Sequence, residues 1–207
     1  ADDAAGARPD PGGGEAGGTL RPMTMRRVNH AWIADTARVI GDVTLGPNVS
    51  IWYGAVMRGD VAPISIGDET NVQDNAVIHV DHSYPNRIGA RVTIGHGAIC
   101  HGQAIGDGSL IGMGATLLGR SKIGRNAIVA AGALVPEGME VPDEHVAMGV
   151  PAKVVRPIND REREYIAVLP PRYVEEAEMH WRGESPLSRP WTHNPAEHRA
   201  PNEVDAS

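Results

Sequence analysis

A six-residue beat constrains this chain more than any other feature. From Ile105 onward, Ile111, Leu117, Ile123, Val129, Val135 and Val141 follow one another at intervals of six. The same beat runs earlier through Ile33, Val39, Leu45, Ile51 and Met57, then Ile66, Val72 and Ile78, then Ile88, Ile94 and Cys100. An amphipathic helix repeats at about 3.6 residues and a half-buried strand at about 2, so neither explains the pattern. A hexapeptide period is a signature of a β-helix. Each hexad then supplies one short strand and a corner, three hexads close a triangular coil, and the residue opening each hexad points inward. No coil buries its apolar side chains alone, so the core comes from stacking. Eighteen hexads give six coils, above the minimum of about three repeats. The phase slips three times: three extra residues at Pro63 to Ser65, four at Tyr84 to Arg87, and one missing between Cys100 and Ile105.

Composition fits such a prism. The 25 glycines suit tight corners that call for positive φ, and an aromatic content of 4% with no Phe suits a narrow interior. A chain of 207 residues is expected to hold one domain. A net charge of −7 argues against a nucleic-acid surface, and the lack of a long apolar run argues against a membrane span. A cytoplasmic protein is the expectation. The lone Cys100 opens a hexad and is expected to pack in the core.

Residues 1–19 are mostly Gly, Ala, Asp and Pro with little to bury, which predicts a disordered extension over 1–22. They lack the regions of a signal peptide. The β-helix is expected over 23–157, with Val150-Pro151 taking the chain off the prism. A helical segment follows over 158–181, capped at Asn159-Asp160 and interrupted by Pro170-Pro171, and 182–207 reads as a loose tail. The fold class is therefore an all-β, parallel β-helix with a C-terminal α-helical segment.

Phase arithmetic locates the candidate chemistry. His79 and His101 are each second in their hexads, one coil apart once the four inserted residues are allowed for. Adjacent strands stack at about 4.8 Å, which lets two imidazoles converge on one ion. Arg58 lies one coil earlier in the same column. His96 is third in its hexad, on the preceding face, so its side chain diverges from the other two, and Gln73 is its neighbour there. Two ligands on one face and one on the next complete a site only against another copy, and a threefold arrangement closes such contacts. His82 follows His79 by three and is a decoy; His30, His145, His180, His193 and His198 read as ordinary histidines. Arg58 and Asp60 also fit a plain ion pair between subunits.

Arg58-Gly59-Asp60, Asn71-Val72-Gln73-Asp74-Asn75, His79 and the His96/His101 pair, set in a hexapeptide array, resemble the γ-class carbonic anhydrases over roughly Val28 to Trp181. The resemblance implies a left-handed β-helix homotrimer with metal at subunit interfaces, held by two histidines of one chain and one of the next. Zn2+ is the metal implied, with Fe2+ or Co2+ as alternatives. It makes His79, His96 and His101 the ligands, has Gln73 orient hydroxide or substrate, and has Arg58, Asp60 and Asp74 organise the interface. Tyr173 resembles a C-terminal tyrosine near the family's site. The activity implied is reversible hydration of CO2 to bicarbonate and a proton by metal-bound hydroxide. One departure matters: the founding type carries a proton-transfer glutamate between the first two ligands, whereas no Glu separates His79 from His96 here and Asp81 is the nearest carboxylate. A non-catalytic trimeric scaffold and an acyl-CoA-dependent hexapeptide acyltransferase are the rival readings.

Overall fold

Most hexads fold into a two-residue strand followed by a corner. The computed structural model describes residues 24–184, which form a parallel β-solenoid of about six turns and one helix, Asp160–Arg182. The first face stacks Ala31–Ala34, Ser50–Ile51, Asn71–Val72, Thr93–Ile94, Leu110–Ile111, Ile128–Val129 and His145–Gly149. The second begins with the leading halves of Arg38–Leu45 and Val56–Ile66 and continues through Val77–Ile78, Ile99–Cys100, Thr116–Leu117 and Leu134–Val135. The trailing halves of those two long strands open the third face, ahead of Asn86–Ile88, Ala104–Ile105, Lys122–Ile123 and Glu140–Val141.

The hexad-opening residues are the core. Ile51, Val72, Ile94, Ile111 and Val129 stack fully buried behind the first face, as do Met57, Ile78, Cys100, Leu117 and Val135 behind the second. Each large aliphatic side chain so buried contributes roughly 1.5–3 kcal/mol. Burial also pushes the Cys100 thiol up to about 12, which suits its packing role.

All three phase slips fall at one corner, between the second and third faces, in three successive coils. Gly41 pairs with Gly59 and Val43 with Ile64, so the three extra residues lie between Gly59 and Ile64. They sit upstream of the expected Pro63 to Ser65, and this stretch carries Asp60. The four-residue insertion belongs to the loop between Ile78 and Asn86, where Asp81 and Tyr84 form a bridge around a turn. The shortened corner follows His101.

Two expectations about the end of the chain are corrected. At Val150 the chain does not leave the prism: His145–Gly149 and Ala152–Pro157 form an antiparallel hairpin that closes the end of the first-face sheet. Met25–Val28 does the same at the other end, antiparallel to Ala31–Ala34. Pairing the terminal coil strands in this way satisfies backbone groups that would otherwise be left at the end of the stack. Nor do Pro170 and Pro171 break the helix, which runs unbroken from Asp160 to Arg182. A proline in a helix interior costs about 3 kcal/mol, but Ile166, Pro170 and Ala177 are buried, and the helix packs on the first-face sheet. That burial offsets the lost hydrogen bonds. Among the described residues no helix is long and apolar enough to cross a membrane.

The helix start is fixed by Glu162, which is nearly buried at 3% exposure. It takes paired hydrogen bonds of 2.8 Å from Arg156 and completes a capping box with Asn159. The Arg156 hydrogen bonds, against an opposing effect of burial, hold its carboxyl below the ordinary glutamate value of 4.5. A depressed folded-state value gives stability that is present above the unfolded value and lost as pH falls through the folded one. Glu162→Ala is therefore expected to cost about 2 kcal/mol at neutral pH. Denaturant melts should show the gap to the unmodified protein shrinking as acid protonates Glu162.

Candidate metal centre

The second face presents Arg58, His79 and His101 in one column, because Met57 pairs with Ile78 and Ile78 with Cys100. The two imidazoles meet: His79 Nδ1 lies 3.1 Å from His101 Nε2, with ring centres 5.1 Å apart. Asp60, on the inserted stretch, comes back to the column. Its Oδ1 is 3.1 Å from His79 Nε2, and its Oδ2 accepts a short hydrogen bond from Arg58. Burial opposes ionisation of Asp60, but hydrogen bonds from Arg58 and His79 outweigh it and hold the carboxyl below its usual range. On the other side, Asp81 Oδ2 is 3.7 Å from His101 Nδ1. The pair of rings is thus bracketed by two carboxylates. An acceptor-only carboxylate at His79 Nε2 keeps the proton there and leaves Nδ1 as a lone pair facing His101.

His96 stands apart, at the corner between the first and second faces. Gly95 before it has no room for a side chain, since a Cβ would meet the Met113 nitrogen at 2.7 Å. Gly97 after it turns the corner with φ of 67°. Between them His96 projects outward, and its Nδ1 lies 2.8 Å from Asp74 Oδ2. That contact fixes the proton on Nδ1 and leaves Nε2 as an outward lone pair, the arrangement typical of a metal-ligating histidine oriented by a carboxylate. Among the described residues no three metal-ligating side chains of this single chain gather around one point.

Gln73 lies beneath His96 and is buried. Its Oε1 accepts from the His96 backbone N–H at 3.2 Å and its Nε2 donates to Asn71 Oδ1 at 3.1 Å, while Asn71 Nδ2 donates to Thr93 Oγ1 at 2.9 Å. Both ends of the Gln73 amide are therefore engaged in holding the His96 corner. Asp74 has a second role, accepting from the Tyr53 backbone N–H at 3.1 Å. Tyr173, on the helix, packs edge-on against Trp52 with ring centres 5.4 Å apart. Burial first, then the nearby Glu176 carboxylate, push its phenol well above the usual tyrosine value. The Trp52 contact and the packing of the helix on the first-face strands set Tyr173 apart from the His79/His101 pair on the second face.

His82 is exposed on the turn between Asp81 and Tyr84. His180 is less ordinary than its place in the sequence suggests: its Nδ1 is 2.9 Å from the Tyr53 hydroxyl, and burial lowers its basicity. Another residue without a sequence signal is Asn86, whose Nδ2 donates to the carbonyls of His79 and Cys100 at 3.3 and 3.2 Å. His193 and His198 lie outside the described residues, as do the expected extension at 1–22 and most of the tail at 182–207.

Both the repeat and the sequence have counterparts among known proteins. The profile for bacterial transferase hexapeptide repeats matches residues 104–137, and that for the hexapeptide repeat of succinyl-transferase matches 85–118. The chain is 43% identical over 155 residues to gamma carbonic anhydrase 2, mitochondrial, of Arabidopsis thaliana, an alignment covering 72% of this chain and 56% of that relative. It therefore spans little more than half of the plant protein. It is 41% identical over 150 residues to the carbonic anhydrase of Geobacillus kaustophilus, covering 72% of this chain and 82% of that one. The solved structure of a hexapeptide transferase family protein from Anaplasma phagocytophilum superposes with a TM-score of 0.69 at 38% identity, over 73% of this chain and 89% of that chain. The chain belongs to the γ-class carbonic anhydrase family.

Proposed function

We propose that the protein catalyses the reversible hydration of CO2 as a homotrimer. Each site would be built from His79 and His101 of one subunit and His96 of its neighbour. The observation that carries this reading is the 3.1 Å approach of His79 Nδ1 to His101 Nε2, with His96 held separately by Asp74. Three neutral imidazoles suit a divalent ion of the zinc type, with iron or cobalt compatible with the same nitrogen donors. When bound, the ion would act as a Lewis acid that lets water attack CO2 near neutral pH.

The chain's own groups have definable tasks. Holding a cation needs lone pairs on both facing nitrogens, which puts the His101 proton on Nδ1, toward Asp81. Asp60 keeps the His79 proton on Nε2, and Asp74 keeps that of His96 on Nδ1. Gln73 fixes the backbone from which His96 projects. Beside the histidine column runs an apolar row of Val56, Val77, Ile99 and Leu134, interrupted by Thr116. Ile99 is 43% exposed in the single chain, and contact with a second copy would cover it. That row supports assembly through this face.

Stopped-flow hydration of CO2 by metal-replete and chelator-treated protein tests the reading. Metal-dependent turnover is expected. Bound metal without turnover would favour the scaffold, and acyl transfer from acyl-CoA by metal-free protein would favour the transferase. Two substitutions should fail differently. Gln73→Ala is expected to leave the assembly intact and reduce hydration about 10–100-fold by loosening His96. Arg58→Ala frees Asp60 and should weaken the trimer first, which sedimentation would register.

A further inference from the structure

Asn86 occupies an inward-facing position at the start of the third face, paired with the apolar Ile64 of the coil before it. It is 1% exposed. Inward-facing positions of the other coils carry apolar side chains, yet an amide is buried here. Its Nδ2 donates to the His79 carbonyl at 3.3 Å and the Cys100 carbonyl at 3.2 Å, and its Oδ1 is buried with no hydrogen-bond partner. The orientation of the amide is fixed by chemistry, because both carbonyls only accept and turning the amide over would set oxygen against oxygen. Leaving a buried carbonyl unsatisfied costs about as much as two long neutral hydrogen bonds return. Net stability therefore does not account for the residue.

Its placement does. The chain leaves the second face at His79 through an enlarged corner and, one coil on, at His101 through a shortened one. The backbone ladder reaches the two strand ends that carry the imidazoles, His79 N–H donating to the Cys100 carbonyl at 3.2 Å, and beyond them the chain runs into loops of unequal length. Asn86 spans this point, with one nitrogen tied to the residue bearing the first ring and to the residue just before the second. We infer that Asn86 is a positioning residue whose buried amide sets the separation of the His79 and His101 rings. This rests on the metal reading above, and it assigns Asn86 no contact with the ion or substrate.

The test uses the full chain with Co2+ as probe metal, comparing the unmodified protein with Asn86→Leu. Leucine preserves the packing and removes both ties as well as the unsatisfied oxygen. Co2+ affinity is expected to fall about 10–100-fold, with a changed visible d–d absorption band, while Tm changes little and oligomer size is unchanged. Unaltered affinity and spectrum would overturn the inference. So would a loss of affinity that simply tracks a fall in Tm, since a packing role would produce that. Should the leucine variant not assemble, Asn86→Ser is judged by the same affinity and spectrum at temperatures well below its own Tm. Failure of the unmodified protein to bind Co2+ would instead sink the metal reading, and is seen before any variant is made.

Discussion

Mixing two inactive variants is expected to restore metal sites. His79→Ala removes one nitrogen from the pair on the second face, and His96→Ala removes the separate nitrogen on the preceding corner, so each variant alone should lose tight metal binding. In a mixed trimer, a subunit with intact His79 and His101 can meet a neighbour with intact His96. If subunits assort at random in a closed threefold ring, about one quarter of the sites regain all three ligands. Unfolding and refolding the two variants together, then counting bound metal per chain, gives that number directly. A mixture of His79→Ala with His101→Ala is the internal control. Both lesions strike the same face, and every possible interface stays broken. Recovery in the first mixture and none in the second identifies an interfacial site; no recovery in either, with subunit exchange demonstrated by differential tagging, would place the ligands within one chain.

The hexad pattern made the fold legible because in a β-helix the core is one-dimensional. Ile51, Val72 and Ile94 stack on one another for the same reason that they recur at three hexads, plus an insertion where the phase slips. The column of Arg58, His79 and His101 followed from the same counting. Finer features were not countable. The insertion carrying Asp60 was placed too far along the chain because sequence phase fixes the number of extra residues but not which of them leave the ladder. The helix across Pro170 and Pro171 depends on burial against the first face, a tertiary term that local preference omits. The terminal hairpin at His145–Gly149 has no hexad signature, since antiparallel pairing repeats nothing. Within the site, the Gln73 contact with the His96 backbone depends on side-chain direction, and Asn86 was invisible because an inward polar residue looks like an interruption of the pattern rather than a part of it.

A buffer-dependent kcat is the second large effect expected. Each hydration of CO2 releases a proton, which must reach solvent before the next cycle, and no glutamate lies between His79 and His96 to carry it. The phenols near Asp74 are poor carriers at neutral pH. Burial, then Asp35 and Asp74, raise Tyr53 to about 12, and burial raises Tyr173 further. His180 is less basic than a free histidine and is tied to the Tyr53 hydroxyl. Asp81 is the carboxylate facing His101, with its side chain 44% exposed. A carboxylate open to water hands its proton to solvent or buffer rather than along an internal chain. Imidazole at increasing concentration, at fixed pH and ionic strength, should therefore raise kcat severalfold toward a plateau. In D2O kcat should fall, while kcat/KM, which covers the steps through CO2 attack and bicarbonate release, should move much less. Asp81→Asn should deepen the dependence on buffer and leave kcat/KM nearly unchanged if Asp81 passes protons outward. Were it to lower kcat/KM as strongly as kcat, the carboxylate would be acting on His101 and the chemical step instead, and a kcat indifferent to imidazole would mean that the proton leaves by another internal route.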